Sequence, residues 1–142
     1  MGRNGEIAMY EIGVTAQFEA AHRLVGDFGP ATRLHGHTYR LEVVVSGEQL
    51  NADGVLYDIG RLREAVDALT AVLHYRNLDE VAGLAGKNTT AETVADYCWE
   101  ALAPPLQGQG LAALLVRVWE SPQVYAARMD RLDSAEQTRE MR

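Results

Sequence analysis

The chain has 142 residues, 47% of them apolar and 23% charged, and a net charge of −7 from 20 acidic and 13 basic side chains. That length suits one domain with a real core, and the composition is that of a soluble globular protein rather than a disordered or membrane one. The basic residues are scattered, which disfavours a nucleic-acid partner, and no apolar run approaches the roughly 20 residues that cross a bilayer, which excludes a membrane partner of that kind. Met1 to Ile7 carries no apolar segment of a secretory signal, and the single cysteine fits a reducing compartment, so the expected location is cytoplasmic. A small phosphorylated ligand remains compatible with the charge, through local cations such as Arg23, Arg33, Arg40 or Lys87.

In chain order, residues 9–21 alternate, with Tyr10, Ile12, Val14, Ala16 and Phe18 separated by Glu11, Gly13, Thr15 and Gln17, and so predict a strand with one apolar face. A loop from Val25 to Arg33 leads to a second β-rich run, Thr38 to Gly47. The polar turn Asn51-Ala52-Asp53-Gly54 precedes Asp58, which is placed to cap a helix from Ile59 to Leu73. Ile59, Leu62, Val66, Leu69 and Leu73 recur at steps of three and four, the spacing of an amphipathic helix. His74 to Asn88 is expected to be irregular. Thr89, with Glu92 three positions on, predicts a capping box for a second helix reaching Leu102, where Pro104-Pro105 stops it. Leu111 to Glu120 and Gln123 to Met129, separated by Ser121-Pro122, predict a hairpin, and the polar stretch from Asp130 to Arg142 reads as frayed or a short exposed helix.

The expected division is a flexible N-terminus at 1–8, one domain at 9–130 and a polar tail at 131–142. The order ββααββ predicts an α+β fold, a four-stranded antiparallel sheet with two helices on one face. Its uncovered edges are expected to close into an oligomeric barrel with other copies.

His35-Gly36-His37 sits at the entrance of the second strand, thirteen residues after His22, in a chain with four histidines. Alternate residues of a strand point the same way, so two imidazoles share a face and a third can come from the neighbouring strand. Three neutral imidazoles with an open fourth position suit a catalytic zinc. An isolated H-x-H with a lone histidine is more often an ordinary surface or core feature, so the surrounding residues must decide.

Those surroundings resemble the family of 6-pyruvoyl-tetrahydropterin and 6-carboxytetrahydropterin synthases. The matching stretches are Phe18-Glu19-Ala20-Ala21-His22, Leu34-His35-Gly36-His37-Thr38-Tyr39, Asp53-Gly54-Val55-Leu56-Tyr57-Asp58, Asn77-Leu78-Asp79, Thr90-Ala91-Glu92 and Trp119-Glu120-Ser121, in the family's order over residues 10 to 128. The resemblance implies the tunnelling fold, a hexamer built as a dimer of trimers with active sites between subunits, and zinc on His22, His35 and His37. It also implies a pterin or purine-like ligand. Glu120 suits such a ring, because a carboxylate can accept the amino group and the adjacent ring N–H together. Thr90 and Glu92 match the family stretch that helps hold the pterin edge, although Ala91 stands where a Ser or Thr is usual.

The same resemblance marks two departures. In the synthases a cysteine four residues before the first His of H-G-H acts as base, and that position here is Ala31. Cys98 falls in the second helix and reads as core packing. The family's D-H-x-N-L-[DN] stretch places His74 at its Asp position and Tyr75 at its His position, and a one-residue adjustment brings His74 to the place of the family histidine. The candidate catalytic set is therefore His74, Asp27 and Tyr75, with Thr32 and Glu19 as further substitutes for the missing thiol. A carboxylate base would favour retro-aldol cleavage of the pterin side chain. The expected function is a zinc-dependent pterin synthase-like lyase acting on dihydroneopterin triphosphate or a related pterin with an altered base. The rival expectations are a non-catalytic or regulatory zinc-containing pterin- or purine-binding protein, and a structural oligomer whose histidines hold no metal.

Overall fold

The computed structural model describes residues 8–132. The expectations for residues 1–7 and 133–142 lie outside the described residues.

The sheet begins with two long strands, β1 (Tyr10–His22) and β2 (His35–Gly47), paired antiparallel along their whole length from Tyr10 opposite Gly47 to His22 opposite His35. Period-two alternation turns Val14, Phe18, Ala20 and His22 of β1 and Tyr39, Leu41, Val43 and Val45 of β2 to the same buried face. β2 starts at His35 itself, so the H-G-H lies within the strand rather than at its approach. The turn ahead of the first helix is held as its residues predict: the Asn51 side-chain oxygen accepts from the backbone N–H groups of Asp53 and Val55, and Gly54 takes φ 78°, a conformation that suits glycine.

Helix α1 (Ile59–Leu73) is capped by Asp58, whose carboxylate accepts from the Gly60 and Arg61 N–H groups, and it buries Leu62, Val66, Leu69, Thr70 and Leu73. The segment expected to be irregular contains a two-residue strand, β3 (Arg76–Asn77), which runs parallel to β1 beside Ala20 and Ala21. Helix α2 (Ala91–Leu102) buries Val94, Ala95, Cys98, Trp99 and Leu102. Its N-cap is Thr90, which accepts from the Thr93 N–H, so the capping box expected from Thr89 and Glu92 does not form. Thr89 is taken up by other partners, described below.

Strand β4 (Ala113–Ser121) returns beside β2, and β5 (Val124–Arg131) follows as a hairpin, giving a mixed five-stranded sheet in the order β3-β1-β2-β4-β5. The expected four antiparallel strands are present, and β3 adds a short parallel fifth. Asp130 and Arg131, placed by sequence in a frayed tail, belong to β5, and Leu132 is buried with its N–H donating to the Ala112 carbonyl.

The two helices pack on the face that carries Phe18, Leu41, Val43, Leu114, Val116 and Val118, all fully shielded or nearly so. Burying each such side chain stabilises the fold by about 1.5–3 kcal/mol before entropy is counted. Trp99 fixes α2 to the sheet by donating its Nε1–H to the Leu114 carbonyl at 2.8 Å, with the Arg128 guanidinium 3.9 Å over its ring. Among the described residues no helix is long and apolar enough to cross a membrane.

Candidate functional site

The histidines stand where the helix-covered face runs out. His22 ends β1, His35 opens β2 directly opposite it, and His37 follows two residues on, across from Ala20. The ring centroids are 4.6 Å apart for His22 and His35, 5.2 Å for His22 and His37, and 4.9 Å for His35 and His37, each pair edge to face. One ring nitrogen from each lies within 4.8 Å of the others. Beneath them Phe18 and Tyr39 stack at 4.8 Å, an apolar floor that limits how far the rings can shift.

Hydrogen bonding decides which nitrogens face inward. His22 Nδ1 is 2.8 Å from the Thr89 carbonyl oxygen, and His35 Nδ1 is 2.7 Å from that of Arg33. A carbonyl only accepts, so both Nδ1 atoms carry a proton, and in the neutral rings both Nε2 atoms keep a lone pair. The Nε2 atoms of His22 and His37 are buried without a hydrogen-bond partner. A buried polar atom left unpaired is costly, and two aimed together mark a place for a ligand or ion. Burial outweighs the pull of Glu120 and, with His22 and His35 adding to it, lowers the His37 pKa, which favours the neutral, metal-binding form. Three imidazoles whose ring nitrogens converge, two of them held at Nδ1 by backbone carbonyls, fit a zinc ion by donor type and convergence.

Glu120 reaches the same place from β4. It continues the buried-face series Leu114, Val116, Val118, and its Oε2 lies 3.7 Å from the Nε2 atoms of both His22 and His37. Tyr39, two residues beyond His37, was not among the expected site residues. Its ring lies 5.3 Å from His37, its hydroxyl is buried and unpaired among the described residues, and burial, with Glu120 and Asp79 nearby, pushes its pKa far up and keeps it protonated. The period-two run His35, His37, Tyr39 was the available signal.

The remaining predicted residues lie around this centre rather than in it. His74 is the C-cap of α1, and its Nδ1 accepts the backbone N–H of Glu19 at 3.0 Å, so neutral His74 carries its proton on Nε2, the reverse of His22 and His35. Tyr75 stacks on His74 at 3.8 Å, is 77% exposed, and holds φ 57°, the one positive value among the described non-glycine residues. A bulky side chain in that region costs on the order of 1–2 kcal/mol. Tyr75, Glu19 and His37 all border one open depression of about 540 Å³. A larger cavity of about 840 Å³, between the start of β1 and the turn before α1, holds none of the predicted site residues. Asp27 is exposed on the loop after β1, and Glu92 is exposed in the first turn of α2. The Thr90 hydroxyl is committed to Thr93. Ala31 accepts the Leu24 N–H through its backbone and offers no side-chain chemistry. Of the four cations considered for a phosphate, Arg23 and Lys87 line one cavity of about 470 Å³ with Asp79 and Asn88.

Comparison with known proteins gives the same picture. The family model described as 6-pyruvoyl tetrahydropterin synthase matches residues 11–130. The dihydroneopterin monophosphate aldolase of Pyrococcus furiosus is 36% identical over 93 residues, covering 66% of this chain and 75% of its own. The 6-carboxy-5,6,7,8-tetrahydropterin synthase of Haemophilus influenzae is 29% identical over 136 residues, 80% of this chain and 94% of its own. The Caenorhabditis elegans 6-pyruvoyl tetrahydropterin synthase structure superimposes with a TM-score of 0.74 at 25% identity, over 87% of this chain and 97% of that one. With the tunnelling fold, the histidines at the strand ends and a family match spanning both helices and all five strands, the chain belongs to the 6-pyruvoyl tetrahydropterin synthase family.

Proposed function

We propose that the protein is a zinc-dependent pterin synthase-like lyase acting on dihydroneopterin triphosphate or a related pterin, with a base other than the family cysteine. The observation that carries this reading is the pair of buried, unpaired Nε2 atoms on His22 and His37, which converge beside Glu120 while His22 and His35 are held from behind by carbonyls. A zinc ion on His22, His35 and His37 would polarise the side-chain hydroxyls of the substrate as a Lewis acid. Glu120 binds the pterin ring and sets its side chain against the triad. At the start of α2, Thr90 would hold the ring edge through its backbone, since its hydroxyl caps the helix, with Glu92 beside it. Arg23 and Lys87, sharing one cavity, suit a phosphate group.

The absent thiol at Ala31 and the similarity to a dihydroneopterin monophosphate aldolase favour carbon–carbon cleavage. In that reaction the bond between the first two side-chain carbons breaks and its electron pair passes into the ring imine. The second carbon's hydroxyl loses its proton and becomes an aldehyde, and a proton returns to the first carbon, leaving a hydroxymethyl pterin. His74, with its proton on Nε2, suits the donor role, and Asp27 or Tyr75 serves as acceptor. Backbone strain at Tyr75 supports a working position for that side chain.

Two unpaired edges support the assembly. Among the described residues the outer edge of β1 is paired only at Ala20 and Ala21, and β5 has no partner on its far side. Joining β5 of one copy to β1 of the next closes a barrel, and we infer the hexamer of two such trimers, in the cytoplasm, with sites completed between subunits.

A second reading, a zinc-containing pterin- or purine-binding protein without turnover, is favoured by Ala31 and by the bonding of His74 to β1 rather than to the triad. Anaerobic incubation of the zinc-loaded protein with dihydroneopterin and its mono- and triphosphates, resolved by mass spectrometry, separates the two. A hydroxymethyl pterin with an equimolar aldehyde supports the lyase. Intact substrate recovered on the protein supports the binding role.

A further inference from the structure

Behind His22 runs a hydrogen-bond chain that none of the catalytic assignments uses. Thr89, fully buried, takes the His22 Nδ1–H on its carbonyl, and its hydroxyl oxygen lies 3.4 Å from the same nitrogen. The hydroxyl stands 2.6 Å from Asp79 Oδ1. The other carboxylate oxygen, Oδ2, accepts the backbone N–H of Arg23, the residue after His22, at 3.0 Å. Asp79 is itself held by Asn77, whose side-chain oxygen accepts the Asp79 N–H at 3.0 Å. One carboxylate thus grips His22 from two sides, through the strand end that carries it and through the residue that orients its ring.

The direction of this chain is fixed by charge. An ionised carboxylate only accepts, so the Thr89 hydroxyl must donate to Asp79 and can present only lone pairs to His22. With two acceptors of Thr89 against it, Nδ1 must hold the proton, and Nε2 is left free on the side where His37 and Glu120 meet. We propose that Asp79 is a positioning residue that fixes the tautomer of His22 through Thr89. The proposal rests on the reading of His22 as a metal ligand only for its consequence for zinc, since the tautomer itself is a property of the metal-free protein.

Asp79→Asn keeps the shape and reverses the polarity. The amide can donate to the Thr89 oxygen while its own oxygen takes the Arg23 N–H, and the released hydroxyl proton can then turn to His22 Nδ1. That donor competes with the Thr89 carbonyl, which still asks for a proton on Nδ1, so the tautomer with the proton on Nε2, which cannot ligate, gains population without replacing the other. The expected result is read in two ways. Ring-nitrogen NMR of the metal-free protein, at a pH where the histidines are neutral, shows His22 protonated on Nδ1 in the wild type and mixed in Asp79→Asn. Zinc affinity by chelator competition falls on the order of tenfold to a hundredfold. A folded Asp79→Asn protein with the wild-type tautomer and wild-type zinc affinity overturns the proposal. Should that variant not fold, Thr89→Val removes the linking hydroxyl and Thr89→Ser keeps it. Zinc affinity lowered by Val and kept by Ser supports the chain, and equal affinity in both overturns it. A wild type that binds no zinc refutes the metal reading, whereas the NMR comparison still judges Asp79.

Discussion

Cys98 shows how burial can silence a reactive residue type. It is fully enclosed in the core of α2, and desolvation of its charged form pushes the thiol pKa up to about 12. The thiolate is the nucleophile, so the native protein at neutral pH should resist iodoacetamide, with labelling appearing only as the chain unfolds in urea. Stoichiometric labelling of folded protein would overturn the reading of Cys98 as core packing. Glu120 makes the opposite case, a carboxylate whose neighbours give it work. Glu120→Gln retains the shape but loses the second acceptor, so pterin affinity should fall by roughly tenfold or more, the cost of a charged bidentate contact, while zinc content stays near that of the wild type. Because its oxygen lies 3.7 Å from the Nε2 atoms of His22 and His37, calorimetric titration should follow both pterin and zinc. Loss of zinc together with pterin would reassign Glu120 to the metal.

The start of α2 illustrates how neighbouring elements choose among equivalent residues. Thr89 and Thr90 are both good caps, and Glu92 makes Thr89 look the better one by spacing. Thr89 is instead drawn to His22 and Asp79, and the helix begins one residue later with Thr90 as its cap. Thr90→Ala should therefore destabilise the fold by about 1 kcal/mol in urea unfolding, with Thr90→Ser close to the wild type. Equal stability of all three would mean that the cap contributes nothing. The same competition explains β3. Arg76 and Asn77 have no strand pattern of their own, but α1 delivers them beside the end of β1, and Tyr75 and His74 anchor there by bonding the backbone of Glu19.

At the scale of the whole molecule, the open edges of β1 and β5 are what the proposed association rests on. Sedimentation at micromolar concentration should give a trimer or hexamer, and zinc chelation should lower the unfolding midpoint reversibly, since an ion bound only by the folded state stabilises it by mass action. A monodisperse monomer would refute the barrel, and an unchanged midpoint would argue against a metal on the triad. By itself the sequence determined the long strands, both helices with their ends at Leu73 and Leu102, and the histidine triad, because each is written in a local period or a short motif. It could not place Tyr39 or Asp79 in the site or move the cap to Thr90. Nor could it find β3, extend β5 to Arg131 or give His74 the opposite tautomer. Those outcomes depend on partners remote in the chain, such as Thr89 for His22, 67 residues away, and Glu19 for His74, 55 away, which only the folded chain brings together.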